Sequence, residues 1–219
     1  YWFNNPMNRN ESAAKFFKSE MNLMIEALEK QYNVEISKEK LSNAIKESNR
    51  VKKALQELSA LRGKKDVTNR AYFDILVKCV QMPKKDALKA LDEVKSDWES
   101  REDFPSDVKK VLLTGSDVTY GEWMDIMEEA GLRVVRDDLS IGERYYATLI
   151  PENKDPIDAL QEYYFNIPTP ATKNPPDPRL DYLFQCMEES GLDGVVSQNL
   201  KFCEPYAFDF FFTVNGLKD

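Results

Sequence analysis

Apolar side chains recur at three- and four-residue spacing from about Glu11 to Arg62: Phe16, Phe17, Met21, Met24, Ile25 and Leu28, then Leu41, Ile45, Val51, Leu55, Leu58 and Leu61. That period belongs to an amphipathic helix and predicts two long ones, parted by a short Tyr32–Ile36 link, with Ser37 as the cap of the second and Gly63 as its stop. Two more helices are expected, Asn69 to Val80 and Lys84 to about Glu99, divided at Met82-Pro83 because proline has no amide proton to donate. Their aromatic and methionine positions read as core, and the alternation of Lys and Glu as a solvated face.

Near Arg101–Val108 the period changes. Val111-Leu112-Leu113-Thr114-Gly115-Ser116 is a short apolar run closed by glycine, which reads as a strand. A helix from Gly121 to Ala130 follows, with Trp123, Met124, Ile126 and Met127 as its stripe, and after Gly131 comes a second strand, Leu132–Val135. Strand, helix and strand in this order make a βαβ unit. The polar stretch Arg136–Tyr146 then leads to a helix near Pro156–Tyr164, a proline-rich link from Ile167 to Pro178, and a helix from Arg179 to Ser190 closed by Gly191. The third strand is Asp193–Gln198, and a last helix begins near Pro205 and runs out over 216–219. Right-handed crossovers give three parallel strands in the order 2-1-3. The fold class is α/β: a helical region over 1–105, then a partial Rossmann-like sheet over 106–219. Ser116, Asp138–Arg144 and Lys201–Glu204 all fall at the carboxyl edge of that sheet, where open α/β sheets bind ligands. Three strands are few and leave one edge uncovered, so the chain is expected to be a fragment or to need a partner.

Charge and composition remove several classes of function. The chain of 219 residues carries a formal net charge of −8, which argues against non-specific binding to nucleic acid or an anionic membrane. No apolar run approaches the roughly 18 residues of a membrane span, and the amino terminus lacks a secretory pattern, so the chain reads as soluble and cytoplasmic. It has no histidine, which excludes Ser-His-Asp and Cys-His catalysis and His-ligated zinc. Cys79, Cys186 and Cys203 lie far apart with no CxxC pair. They form neither a disulfide framework nor a four-thiolate metal site.

Single elements are ambiguous. Cys203, just past a strand's carboxyl end, is placed for a ligand, although an unpaired cysteine is by default a small buried hydrophobe. Thr114-Gly115-Ser116 offers backbone amides to an anion but has neither the GxGxxG spacing nor a Walker lysine. Asp137-Asp138 suits a divalent ion or the capping of the next turn, and Arg144 beside Tyr145 and Tyr146 suits a phosphate, a carboxylate or plain packing.

Taken together, the order Leu-Leu-Thr-Gly-Ser at 112–116, Asp-Asp-Leu-Ser-Ile-Gly-Glu-Arg-Tyr-Tyr at 137–146 and Asp-Gly-Val-Val-Ser-Gln-Asn-Leu-Lys-Phe-Cys-Glu-Pro-Tyr-Ala-Phe-Asp at 193–209 resembles the 2-hydroxyacyl-CoA dehydratase family. That family includes the D-component of 2-hydroxyglutaryl-CoA dehydratase and benzoyl-CoA reductase subunits, and the helical region from about Ala13 to Leu61 is similar to its helical insert. The resemblance implies a lyase subunit that removes water from an (R)-2-hydroxyacyl-CoA by a ketyl-radical route. It implies a heterodimer with a homologous second subunit, an oxygen-sensitive [4Fe-4S] cluster held by three cysteines, and an ATP-dependent activator protein. It places Cys203 on the last cluster ligand, Ser116 and Arg144 on loops facing the cluster and the acyl-CoA substrate, and Lys201 beside the ligand. Reduction of an aryl-CoA ring, or a truncated subunit that only binds a partner, are the alternatives. Cys79 and Cys186 match no ligand position and read as core. Family members are much longer, and Tyr1-Trp2-Phe3 looks like the middle of a longer protein, so the remaining cluster ligands are expected outside this chain.

Overall fold

The computed structural model describes residues 1–173 and 175–217. Position 174, inside the expected proline-rich link, and positions 218–219, where the last helix is expected to run out, lie outside the described residues. Helix α1 (Glu11–Tyr32) starts where the Asn10 side chain accepts from the Ala13 amide and stops at Asn33 in the left-handed region. Helix α2 (Lys38–Ser59) is capped by Ser37, as the sequence predicts. It ends before Gly63, because 60–64 wind on as turns in which the Lys64 and Lys65 amides both donate to the Leu61 carbonyl (3.0 and 2.8 Å). Helix α3 (Asn69–Gln81), capped by Thr68, and helix α4 (Lys84–Glu99), entered through Pro83, complete the helical region. These helices bury Val51, Leu55, Leu58, Leu76, Leu91 and Trp98 in a common core that Tyr146 also joins.

Three parallel strands follow, β1 (Lys109–Gly115), β2 (Leu132–Asp137) and β3 (Gly194–Gln198), in the spatial order β2-β1-β3. The α/β class and the 2-1-3 order therefore match the expectation. Helix α5 (Glu122–Glu129) lies between β1 and β2; α6 (Glu143–Tyr146), α7 (Pro156–Asn166) and α8 (Asp177–Ser190) lie between β2 and β3; α9 (Glu204–Gly216) follows β3. Both faces of the sheet are covered, as a parallel sheet requires. On one, Val111, Leu113 and Val134 pack with Phe73 of α3 and with Met124 and Met127 of α5; on the other, Leu112 packs with Leu183 and Cys186 of α8. Only half of the predicted α5 stripe points inward, since Trp123 and Ile126 are exposed. Helix α6 is a single turn that no periodicity announces.

The two edges of the sheet differ. At β2 the Asn69 side chain accepts from the Val134 amide (2.8 Å) and donates to the Leu132 carbonyl (2.9 Å), while Arg62 donates twice to the Val134 carbonyl (3.0 and 3.2 Å). Side chains from the helical region thus occupy the positions a neighbouring strand would take. Among the described residues no side chain does this for β3, which is half-buried along its whole length.

Candidate functional site at the carboxyl edge of the sheet

At the end of β1, Gly115 has φ of +112°, and a Cβ there would lie 2.0 Å from the Gln198 carbonyl oxygen, so only glycine permits this approach. The next amide, Ser116 N–H, donates to that same oxygen (2.7 Å). It is therefore occupied by the end of β3, and the turn does not present it to an anion. Ser116 is buried, and its Oγ accepts from the Leu200 amide (3.1 Å). The hydroxyl ties the end of β1 to the segment that carries Lys201 and Cys203.

The Asp137–Arg144 segment returns to the same place. Asp137 caps the turn and pairs with an arginine: its Oδ1 accepts from the Leu139 and Glu143 amides (3.3 and 2.8 Å), and its Oδ2 receives the Arg62 guanidinium (3.0 Å). Gly142 makes this possible, because a Cβ there would sit 1.9 Å from Asp137 Oδ1. Asp138 points inward under the sheet edge and is fully buried, bonded to the Arg179 guanidinium and to the Thr114 hydroxyl (3.0 Å). Burial pushes the Asp138 carboxyl upward, against the pull of Arg179 and Arg144. Arg144, 5% exposed, donates to Ser140 Oγ (2.9 Å) and Tyr206 Oη (3.0 Å), and its Nε stands 3.7 Å from Asp138 Oδ1. Burial draws its guanidinium down, but Asp138 and Tyr206 together hold it above its ordinary value. Its Nε and Nη1 have no hydrogen-bond partner among the described residues.

Helix α9 closes the site. Tyr206 receives Arg144, and the Asp209 carboxylate receives both Arg179 Nε (2.9 Å) and the Thr213 hydroxyl (3.1 Å). Cys203 is the residue before this helix and has no side-chain capping bond. It is partly exposed, whereas Cys79 and Cys186 are buried. Burial pushes the Cys79 thiol up to about 11 and the Cys186 thiol up to about 12, so both are inert core groups. Lys201 and Phe202 are exposed, with the ammonium 5.1 Å from the ring centroid, and Phe202 holds a positive φ of 67°. A bulky residue in the left-handed region carries backbone strain. Among the described residues there is no group of three or more Cys, Asp or Glu side chains that could hold a metal ion.

The structure thus brings Ser116, Arg144 and the 200–203 segment together. Ser116 and Arg144 face buried partners, while Lys201 lies in solvent. Sequence reasoning missed Arg179, Tyr206 and Asp209, which join Arg144 and Asp138 beneath the edge. The visible signal was Asp209, one carboxylate inside the aromatic run Phe208-Asp209-Phe210-Phe211-Phe212.

Comparison with known proteins places these residues in context. The family described as 2-hydroxyglutaryl-CoA dehydratase, D-component, matches residues 1–218. The chain is 30% identical over 210 residues to the (R)-phenyllactyl-CoA dehydratase beta subunit of Clostridium sporogenes, covering 94% of this chain and 56% of that one. It is 26% identical over 217 residues to the lactoyl-CoA dehydratase subunit beta of Anaerotignum propionicum, covering 95% of this chain and 57% of that one. The chain spans somewhat more than half the length of these relatives.

Proposed function

From the premise that the chain belongs to the 2-hydroxyglutaryl-CoA dehydratase D-component family, we propose that it is the cluster-loop part of a 2-hydroxyacyl-CoA dehydratase subunit. The reaction is loss of water from an (R)-2-hydroxyacyl-CoA by a ketyl-radical route, in a heterodimer charged by an ATP-dependent activator. The observation that carries the reading is the setting of Cys203, the one partly exposed thiol of three, just past a segment that Ser116 anchors at Leu200 and just before helix α9, whose Tyr206 receives Arg144.

The described residues do not by themselves fit a [4Fe-4S] cluster: no second ligand accompanies Cys203, and the other two cysteines are sealed in the core. Cys203 supplies one ligand, and the remaining ones come from outside this chain. What the residues present do is positional. Ser116 fixes the backbone at Leu200, and Arg144, buried with Nη1 unengaged among the described residues, holds a positive charge beneath the edge that favours an anionic group above it. The hydrogen lost in the elimination is almost non-acidic, which suits a site whose chemistry comes from a cofactor and whose protein groups orient and stabilise.

The test is a chimera in which this chain replaces the matched segment of the C. sporogenes beta subunit, reconstituted anaerobically with iron and sulfide. The expected result is a visible charge-transfer band that Cys203→Ala abolishes and that Cys79→Ala and Cys186→Ala keep. An unchanged band in Cys203→Ala would remove the assignment. The absence of a ligand set within the described residues also favours a second reading, a partner-binding subunit without a cluster. A chimera that pairs with its partner subunit but never develops the band would establish it.

A further inference from the structure

Between the end of α2 with the turn after it and helix α8, over β2 and the start of β1, runs a cleft of about 840 Å3, a size usual for small-molecule sites. It is distinct from the Cys203 edge, because its floor is Val135 and Arg136 of β2 and Lys110 of β1, whereas Cys203 follows β3 on the far side of the sheet.

The charge around this cleft is opposite to that of the chain. Four cations line it, Arg9, Lys64, Lys110 and Arg136, with three carboxylates, Glu143, Asp181 and Glu189. Arg136 is paired with both Glu143 (2.9 Å) and Glu189 (3.1 Å), so those three groups satisfy one another. Arg9, Lys64 and Lys110 have no carboxylate partner among the described residues. Arg9 donates to the Ile167 carbonyl (3.1 Å) and Lys110 to the Gly63 carbonyl (3.0 Å), so both are oriented by backbone without being neutralised. Asp181 alone stands against them. A locally positive cleft in a chain of net charge −8 selects for an anion. Val135, Ile167, Pro168 and the rings of Tyr146 and Tyr182 add flat, apolar wall, which an inorganic anion does not use.

We propose that this cleft binds the phosphorylated adenosine end of a coenzyme A thioester, with Lys64, Lys110 and Arg9 facing its phosphates. The proposal rests on the acyl-CoA reading and adds where the nucleotide is held. Lys110 lies at the amino end of β1, six residues before Ser116, so the phosphates would sit roughly 20 Å along the strands from the carboxyl edge, and the pantetheine arm would run along the sheet towards Cys203.

Calorimetric titration of the chain with coenzyme A, adenosine 3′,5′-bisphosphate and pantetheine tests it. Coenzyme A and the bisphosphate are expected to bind, more weakly as salt rises, and pantetheine is not. Lys64→Glu, an exposed position with no described partner, and the pair Lys64→Ala with Lys110→Ala should each weaken coenzyme A by about tenfold or more. Lys89→Ala, on the exposed face of α4, should not. Pantetheine binding as tightly as coenzyme A, equal weakening by Lys89→Ala, or no binding to the unaltered chain overturns the proposal. The iron–sulfur band of the chimera does not depend on these lysines. A chimera that forms the band without coenzyme A binding at Lys64 and Lys110 overturns the cleft alone. Coenzyme A binding in the cleft of a chimera without the band overturns the cluster reading alone.

Discussion

Lys52 is 2% exposed on α2 and is held without a carboxylate. Its ammonium donates to the Tyr145 carbonyl and to the Tyr163 hydroxyl (2.7 Å), and the two rings lie 4.7 and 4.5 Å from it. On α4, Lys84 donates to the Tyr145 hydroxyl (2.8 Å) and brings a second positive charge. Burial and Lys84 together push the Lys52 amine down to about 8 from its ordinary 10.5. Between those values the unfolded chain holds a proton that the folded chain releases, so stability rises with pH across this window and the burial penalty is full below it. Denaturation of the protein and of Lys52→Met from pH 8 to 10.5 should therefore diverge, the unaltered protein gaining on the variant as pH rises. Parallel curves would refute this. The sequence reading assigned the alternating Lys and Glu to a solvated face, and for Lys52 the structure corrects it, since Lys52 is buried, as is Arg62. They fall at helical spacing with Val51, Leu55 and Leu58, so a charge on the apolar stripe was the available clue.

Among the elements, α9 is amphipathic in reverse. Tyr206, Asp209 and Thr213 recur at three- and four-residue spacing on the face that meets Arg144 and Arg179, while Phe208 and Phe211 are 79% and 70% exposed. Polar bonding, not apolar burial, docks this helix. Replacing both phenylalanines, Phe208→Ser with Phe211→Ser, should lower the binding of a hydrophobic dye and change urea stability by no more than about 0.5 kcal/mol. Asp209→Ala, which takes from the buried Arg179 one of its two carboxylate partners and leaves Asp138, should cost about 2 kcal/mol in the same titration. A hydrophobic pattern locates such a helix from Pro205 but assigns it the wrong face. The same limit applies in α1, where Phe16 and Phe17 belong to one predicted stripe and only Phe17 is buried. Strands were easier to read, because Val111–Leu113 and Val134–Val135 are β-branched or apolar runs closed by glycine or charge.

For the molecule as a whole, the 2-1-3 order was legible because right-handed crossovers leave few arrangements for three parallel strands. The meeting of Ser116 with the Cys203 segment followed from that order. The cleft was not legible, since Arg9, Lys64, Lys110 and Tyr182 come from separate parts of the chain and no local spacing links them. Nor was the treatment of the β2 edge, where Arg62 and Asn69 reach Val134 across 72 and 65 residues of sequence. That edge gives the sheet a direction of growth. The outer amide of Val134 is already bonded, so it should exchange with deuterium slowly, while the outward amides of β3 exchange fast. Equal rates at the two edges would contradict this. Any added strand, from the same polypeptide or another, is refused beside β2 and admitted beside β3, so the sheet can lengthen on one side only.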